Sequence, residues 1–152
     1  MPSTYLEATD QIFSIIKNVW SSGTAALAGY TPPLYYPGDE PADTEDGSKF
    51  YARISIQTVM DGQITLSNAV GAIGHRRFES VGIIVFQLYC PQIVTNSYHI
   101  GRQLAMLVRD AYRGATTQDG VWFMNARIRE LPPEDVLHRF NVLVNFRYDD
   151  VG

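Results

Sequence analysis

The chain has 152 residues, 45% of them apolar and 18% charged, with a formal net charge of −4 and a pI near 5.2. That length suits one domain over 1–152 with a substantial core, and the acidic balance argues against a dedicated nucleic-acid binder, which carries a basic excess. Charge well below the usual quarter of residues points to surface covered by partners.

Residues 4–20 read as a helix. Ser3 or Thr4 can cap it, Glu7 follows at capping-box spacing, and Leu6, Ile12, Phe13, Ile16, Val19 and Trp20 fall on one stripe. Ser21-Ser22-Gly23 reads as its end. Residues 21–48 then read as an irregular loop, because Pro32, Pro33, Pro37 and Pro41 break regular structure. Its acidic part, GDEPADTEDG, reads as solvated; Pro41 and the lack of a closing Glu argue against a calcium loop. Its aromatic part, YTPPLYY, is expected to lie on the body of this subunit or of a neighbour.

Residues 50–60, FYARISIQTVM, alternate as a half-buried strand, with Ala52, Ile54 and Ile56 on one face and Tyr51, Arg53, Ser55 and Gln57 on the other. Residues 61–77, DGQITLSNAVGAIGHRR, read as a long glycine-rich excursion to the second strand, 78–90. That strand is apolar on both faces: Val81, Ile83, Val85 and Tyr89 on one, Ile84, Phe86, Leu88 and Cys90 on the other. Burying both faces needs a second layer on each side, supplied by helices or by another subunit. At about 3.3 Å per residue this strand spans roughly 43 Å.

Residues 95–113 read as a second helix with Ile100, Leu104, Leu107, Val108, Ala111 and Tyr112 as its apolar stripe and Gly114 as its stop. Two more strands follow, 120–130 and 137–148, joined by a turn at LPPED. In the last one Phe140, Val142, Val144, Phe146 and Tyr148 share a face, with Asn141, Leu143, Asn145 and Arg147 opposite. The expected fold is therefore α+β: a four-stranded antiparallel sheet with two helices in the order α-β-β-α-β-β, with a long excursion between the first two strands.

Chemistry is hard to find in this chain. His75, His99 and His138 lack metal-ligand spacing, and no nucleophile elbow, phosphate loop or dinucleotide fingerprint occurs. Cys90 is the one cysteine, so no intrachain disulfide can form, and it reads as a buried structural thiol. No catalytic, cofactor or metal site is assigned. Arg76 and Arg77 would make a basic patch with Arg127 and Arg129 if their strands were neighbours. The start, MPSTYLEATDQIF, has no basic and apolar leader pattern, and the longest apolar run is too short for a membrane helix, so neither export nor a membrane partner is expected.

From Phe50 to Tyr148 the chain resembles the tail terminator, or tail completion, proteins of long-tailed bacteriophages. The segments that carry the likeness are FYARISI, the GQITLSN excursion running into RRFESVGIIVFQLYCP, the helix YHIGRQLAMLVRDAYRG, and the closing pair GVWFMNARIREL and FNVLVNFRYD; TPPLYYPGDEP resembles the family's proline-rich lead-in. The resemblance implies a structural protein rather than an enzyme, assembled in the host cytoplasm and located at the head-proximal end of a virion tail. It would form a homo-oligomeric ring of six that caps the tail tube, ends its polymerisation and receives the neck or connector protein, with DNA only in transit through the lumen. On that reading Gln63, Thr65, Leu66, His75, Arg76 and Arg77 would meet the tail tube, and Tyr35, Tyr36, Val85 and Phe86 the neighbouring subunit. A neck protein is the nearest alternative, and a small ligand-binding or enzymatic α+β domain the alternative of another class.

Overall fold

The computed structural model describes residues 5–39, 49–63, 77–113, 115, 120–134 and 136–151. Helix α1 spans Tyr5–Ala28. Its buried positions, Ala8, Ile12, Ile16, Trp20 and Thr24, repeat every four residues and form one stripe, whereas Leu6 is exposed. Ser21-Ser22-Gly23 does not end it. The hydroxyls of Ser21 and Ser22 donate back to the carbonyls of Lys17 and Asn18, and Thr24 does the same to Trp20 at 2.6 Å, so these residues satisfy their polar groups inside the helix. Gly23 lies against Leu107 of the second helix, where a larger residue would collide. The stop is Gly29, at φ +85° with its N–H on the Ala25 carbonyl at 2.9 Å, a left-handed position that glycine adopts without strain.

The sheet is five-stranded and mixed, which corrects the expected four-stranded antiparallel sheet. The additional strand, β1, is Leu34–Tyr35, inside the proline-rich loop, and it pairs parallel with β2, Tyr51–Gln63. Only three residues, Leu34, Tyr35 and Tyr36, separate Pro33 from Pro37, and two of them form the strand. They are held because the Trp20 indole N–H donates to the Pro32 carbonyl at 2.7 Å and the Ala52 N–H donates to the Pro33 carbonyl at 3.0 Å. YTPPLYY thus lies on the body of its own subunit.

β2 is followed by β3, Arg77–Pro91, then helix α2, Ser97–Arg113, and strands β4, Trp122–Glu134, and β5, Leu137–Val151. The order across the sheet is β1-β2-β3-β5-β4, with every pair antiparallel except the first. The element order expected for the two helices and four long strands holds. Asp61–Gln63 and Arg77, expected in the excursion, belong to strands: Asp61–Gln63 pair with β3, Gln63 opposite Phe78, and Arg77 begins β3 and pairs with Val151 of β5. LPPED is not wholly a turn either: Glu134 already pairs with Leu137, and Pro132 and Pro133 lie on edge strand β4, where a missing N–H is tolerated. Gly114 falls outside the described residues.

Both helices lie on one face of the sheet. The core joins Ala52 and Ile54 of β2, Ile84, Phe86, Leu88 and Cys90 of β3, and Phe140, Val142, Val144 and Phe146 of β5 to the stripes of α1 and α2. Trp20 meets Phe86 edge to face at 5.2 Å, and the Tyr112 hydroxyl donates to the Ile12 carbonyl at 2.8 Å, tying α2 to α1. A side chain on Gly101 would run into Phe140 and Cys90, so the glycine lets α2 approach the sheet closely.

Candidate functional site: the uncovered sheet face

Among the described residues no helix or loop covers the other face of the sheet. Its centre is β3, where Val81, Ile83, Val85 and Tyr89 stay partly exposed while their neighbours Ile84, Phe86 and Leu88 are fully buried beneath the helices. Leu143 of β5 stands beside Val85 and continues the apolar strip. A β-strand sends alternate side chains to opposite faces, so the doubly apolar sequence of β3 supplies one layer of core and one strip of surface.

Aromatic and basic residues surround that strip. Tyr51 and Tyr89 stack with centroids 4.6 Å apart, and Tyr35 meets Tyr51 edge-on at 6.3 Å. Arg53, Arg127, Arg129, Arg139 and Arg147 stand at outward positions of the ladder. Arg147 lies over the Trp122 ring at 4.8 Å and reaches Glu79 at 3.7 Å, and Arg139 pairs with Glu134 at 3.0 Å. Arg127 donates to the Asn125 carbonyl and the Asn145 side-chain oxygen.

The placing of Arg127 depends on a local irregularity. Trp122 and Met124 face outward, opposite Arg147 and Asn145; then Asn125 and Ala126 oppose the single residue Val144. Asn125 takes φ +55°, and Asn is among the few non-glycine types that enter this region readily. This β-bulge shifts the alternation by one, so Arg127, Arg129 and Leu131 face outward in turn. Simple period-two reading of GVWFMNARIRE misses the shift; its one sequence signal is the Asn inside a strand pattern.

The sequence-based assignments distribute unevenly. Val85 lies on the uncovered face. Phe86 is fully buried under Trp20 and offers no surface to a neighbouring subunit, which corrects its place among the interface candidates. Tyr35 points to the uncovered side with Tyr51, but Tyr36 turns inward and packs on Phe13 at 5.3 Å. Burial raises the Tyr36 phenol above its ordinary pKa, with Asp39 adding to the effect. Gln63 ends β2 and Arg77 begins β3, whereas Thr65, Leu66, His75 and Arg76 lie outside the described residues. The basic patch expected from Arg77 with Arg127 and Arg129 does not form. β5 runs between β3 and β4, and Arg77 pairs with Val151 while Arg127 pairs with Leu143, roughly 26 Å away along β5 at about 3.3 Å per residue.

No constellation for catalysis assembles among the described residues, and no group of His, Cys, Asp and Glu there has metal-binding geometry. Cys90 is buried and its thiol is pushed up to about 12 by desolvation, which makes it a poor nucleophile. A polar cluster missed in the sequence joins α2 to β4: Tyr98 and Arg102 both donate to Glu130 at 2.7 Å, and Arg102 lies over the Tyr98 ring. These bonds, that from Arg102 first, hold the Glu130 carboxyl below its ordinary pKa. Exposed as it is, the cluster is a tether for the edge strand. No described helix is long and apolar enough to cross a membrane.

No protein-family model matches the chain, and no curated protein matches it in sequence. Solved structures do match in fold. A chain from the virion of a native gene transfer agent particle superposes with a TM-score of 0.54 at 16% identity, over 91% of this chain and 91% of that one. A second solved chain superposes with a TM-score of 0.50 at 13% identity, over 92% and 94% respectively. At these identities the likeness is one of fold.

Proposed function

We propose that this chain is a structural subunit of a phage-like virion, built to assemble with copies of itself and with other virion proteins. The one-sided sheet carries the reading. A face with Val81, Ile83, Val85, Tyr89 and Leu143 on it is too apolar to be a plain solvated surface, and the helices are committed to the other side. The fold likeness, over 91% of both chains, to a chain of a gene transfer agent virion supports the setting. Within it, the tail terminator is the role favoured by the sequence resemblance: a ring of six at the head-proximal end of the tail, ending tube growth and receiving the neck protein, with DNA only passing through. The described ends of the β2–β3 hairpin at Gln63 and Arg77 fit a projecting arm whose tip would meet the tail tube. A structural role of this kind needs no cofactor and no catalysis.

Negative-stain images of particles made without this gene test the reading. Overlong tails are expected of a missing terminator. Detached tails of normal length would assign it to the neck instead, and intact particles of normal length and infectivity would overturn the virion role.

A further inference from the structure

The first turns of α1 carry an apolar residue that the core does not take. Leu6 and Asp10 each stand two residues before a buried position, Ala8 and Ile12. That is about 200° round the helix, so both point away from the sheet. Leu6 is 72% exposed, and Glu7 stands next to it. Glu7 and Asp10, three residues apart, are about 5–6 Å from each other on the helix surface. The far side of the subunit offers the reverse. Arg127 and Arg129 point outward from β4, two residues and so about 6.6 Å apart. Leu143 of β5 stands directly across from Arg127, at about 5 Å. Arg102, Arg109, Arg139 and Arg147 each meet a carboxylate, and among the described residues Arg127 and Arg129 meet none.

Each patch sets one leucine beside two like charges, at matching intervals and with opposite sign. Building on the self-assembly proposed above, we infer that the first turns of α1 in a second copy of this chain dock on the outward face of β4 and β5, with Glu7 and Asp10 on Arg127 and Arg129 and Leu6 against Leu143. The other helix does not suit that place. α2 carries Arg102, Arg109 and Arg113 against the single carboxylate Asp110, and the arginines of the sheet would repel it. Two sheets laid face to face would likewise bring arginine onto arginine. One patch belongs to the helix layer and the other to the opposite side of the sheet, so the contact joins two different surfaces. Each copy keeps one of each free, and the assembly propagates or, when the rotation permits, closes into a ring. Complementary potentials steer the encounter, and salt screens them.

Two charge-reversed full-length proteins test it: Arg127→Glu with Arg129→Glu, and Glu7→Lys with Asp10→Lys. Their far-ultraviolet spectra should match the starting protein and their melting should stay cooperative, because all four positions are exposed. By light scattering across concentration and salt, the unaltered chain should associate at low salt and dissociate as salt rises. Each variant alone should associate more than about tenfold more weakly, and an equimolar mixture of the two should recover the original mass, because each then offers the charge the other needs. Leu6→Ser, which changes no charge and removes no core residue, should keep the melting midpoint and also associate more weakly. Variants that assemble like the starting protein, or a mixture that stays dissociated, would overturn the docking assignment and leave self-assembly standing on other surfaces. A starting chain that remains monomeric at every concentration and salt would overturn the docking and the self-assembly together, leaving the virion role to the particle images.

Discussion

The ring of Phe146 fills the space above Gly82 on the neighbouring strand. A β-carbon at Gly82 would come 2.5 Å from Cζ of Phe146 and closer still to the Gln57 carbonyl. Neither a backbone carbonyl in the ladder nor a buried ring can retreat freely. Gly82→Ala is therefore expected to destabilise the fold by about 1–3 kcal/mol, read as a lower urea midpoint. An unchanged midpoint would mean that Phe146 has room to rotate away.

Val85 and Phe86 are adjacent in sequence and separate in consequence. Phe86→Ala removes a fully buried ring from under Trp20 and should cost about 3–5 kcal/mol. Val85→Asn changes the uncovered face and should leave the urea midpoint almost unchanged while weakening self-association in light scattering. Equal loss of stability in both variants would show that the uncovered face is packed within the isolated subunit.

Trp20 holds the proline-rich segment to the body through the Pro32 carbonyl. Trp20→Phe keeps most of the ring and loses the donor, at a cost of about 1 kcal/mol. Because Pro33 and β1 follow at once, amide exchange at Ala52, whose N–H bonds the Pro33 carbonyl, should quicken with it. Exchange at Ile84, in the centre of the sheet, should follow only the global change.

Cys90 reports on unfolding. Buried, with its thiol raised to about 12, it should resist thiol reagents in the folded protein and react once denatured. An unfolded thiol ionises near 8.5, so between about 8.5 and 12 the unfolded state loses the proton first. The contribution is complete below about 8.5 and declines as pH rises through that window. Cys90→Ala should lack this part of the alkaline decline in a urea titration repeated at several pH values, although it carries its own packing cost.

What could be read in the sequence followed from regular alternation. Ala52, Ile54 and Ile56, and the run from Phe140 to Tyr148, repeat every second residue and face the core as the pattern requires. β3 was legible as a strand, yet its two apolar faces concealed which of Val85 and Phe86 lay inside, because only the position of the helices decides that. β1 escaped notice because a two-residue strand between prolines has no period. The end of α1 was misplaced because Ser21, Ser22 and Gly23 resemble a stop; back-bonded hydroxyls and a close approach to Leu107 keep them helical. The outward arginines of β4 were hidden for a related reason, since unbroken alternation would have put Arg127 and Arg129 on the face opposite Trp122 and Met124, and the bulge at Asn125 and Ala126 puts all four on the same one.

That bulge also sets where β4 can change length. Two residues, Asn125 and Ala126, stand against Val144 alone. Deleting one of them would restore a regular ladder and leave Trp122, Met124, Arg127 and Arg129 each on its present side. A deletion one turn of the pleat later, at Ile128, would instead remove an apolar side chain from the helix side and reverse Arg129, Glu130 and Leu131, sending Arg129 toward the core. The strand thus has two sites, this bulge and the one at Pro132 and Pro133 opposite His138, where a codon can be lost without exchanging its inside for its outside.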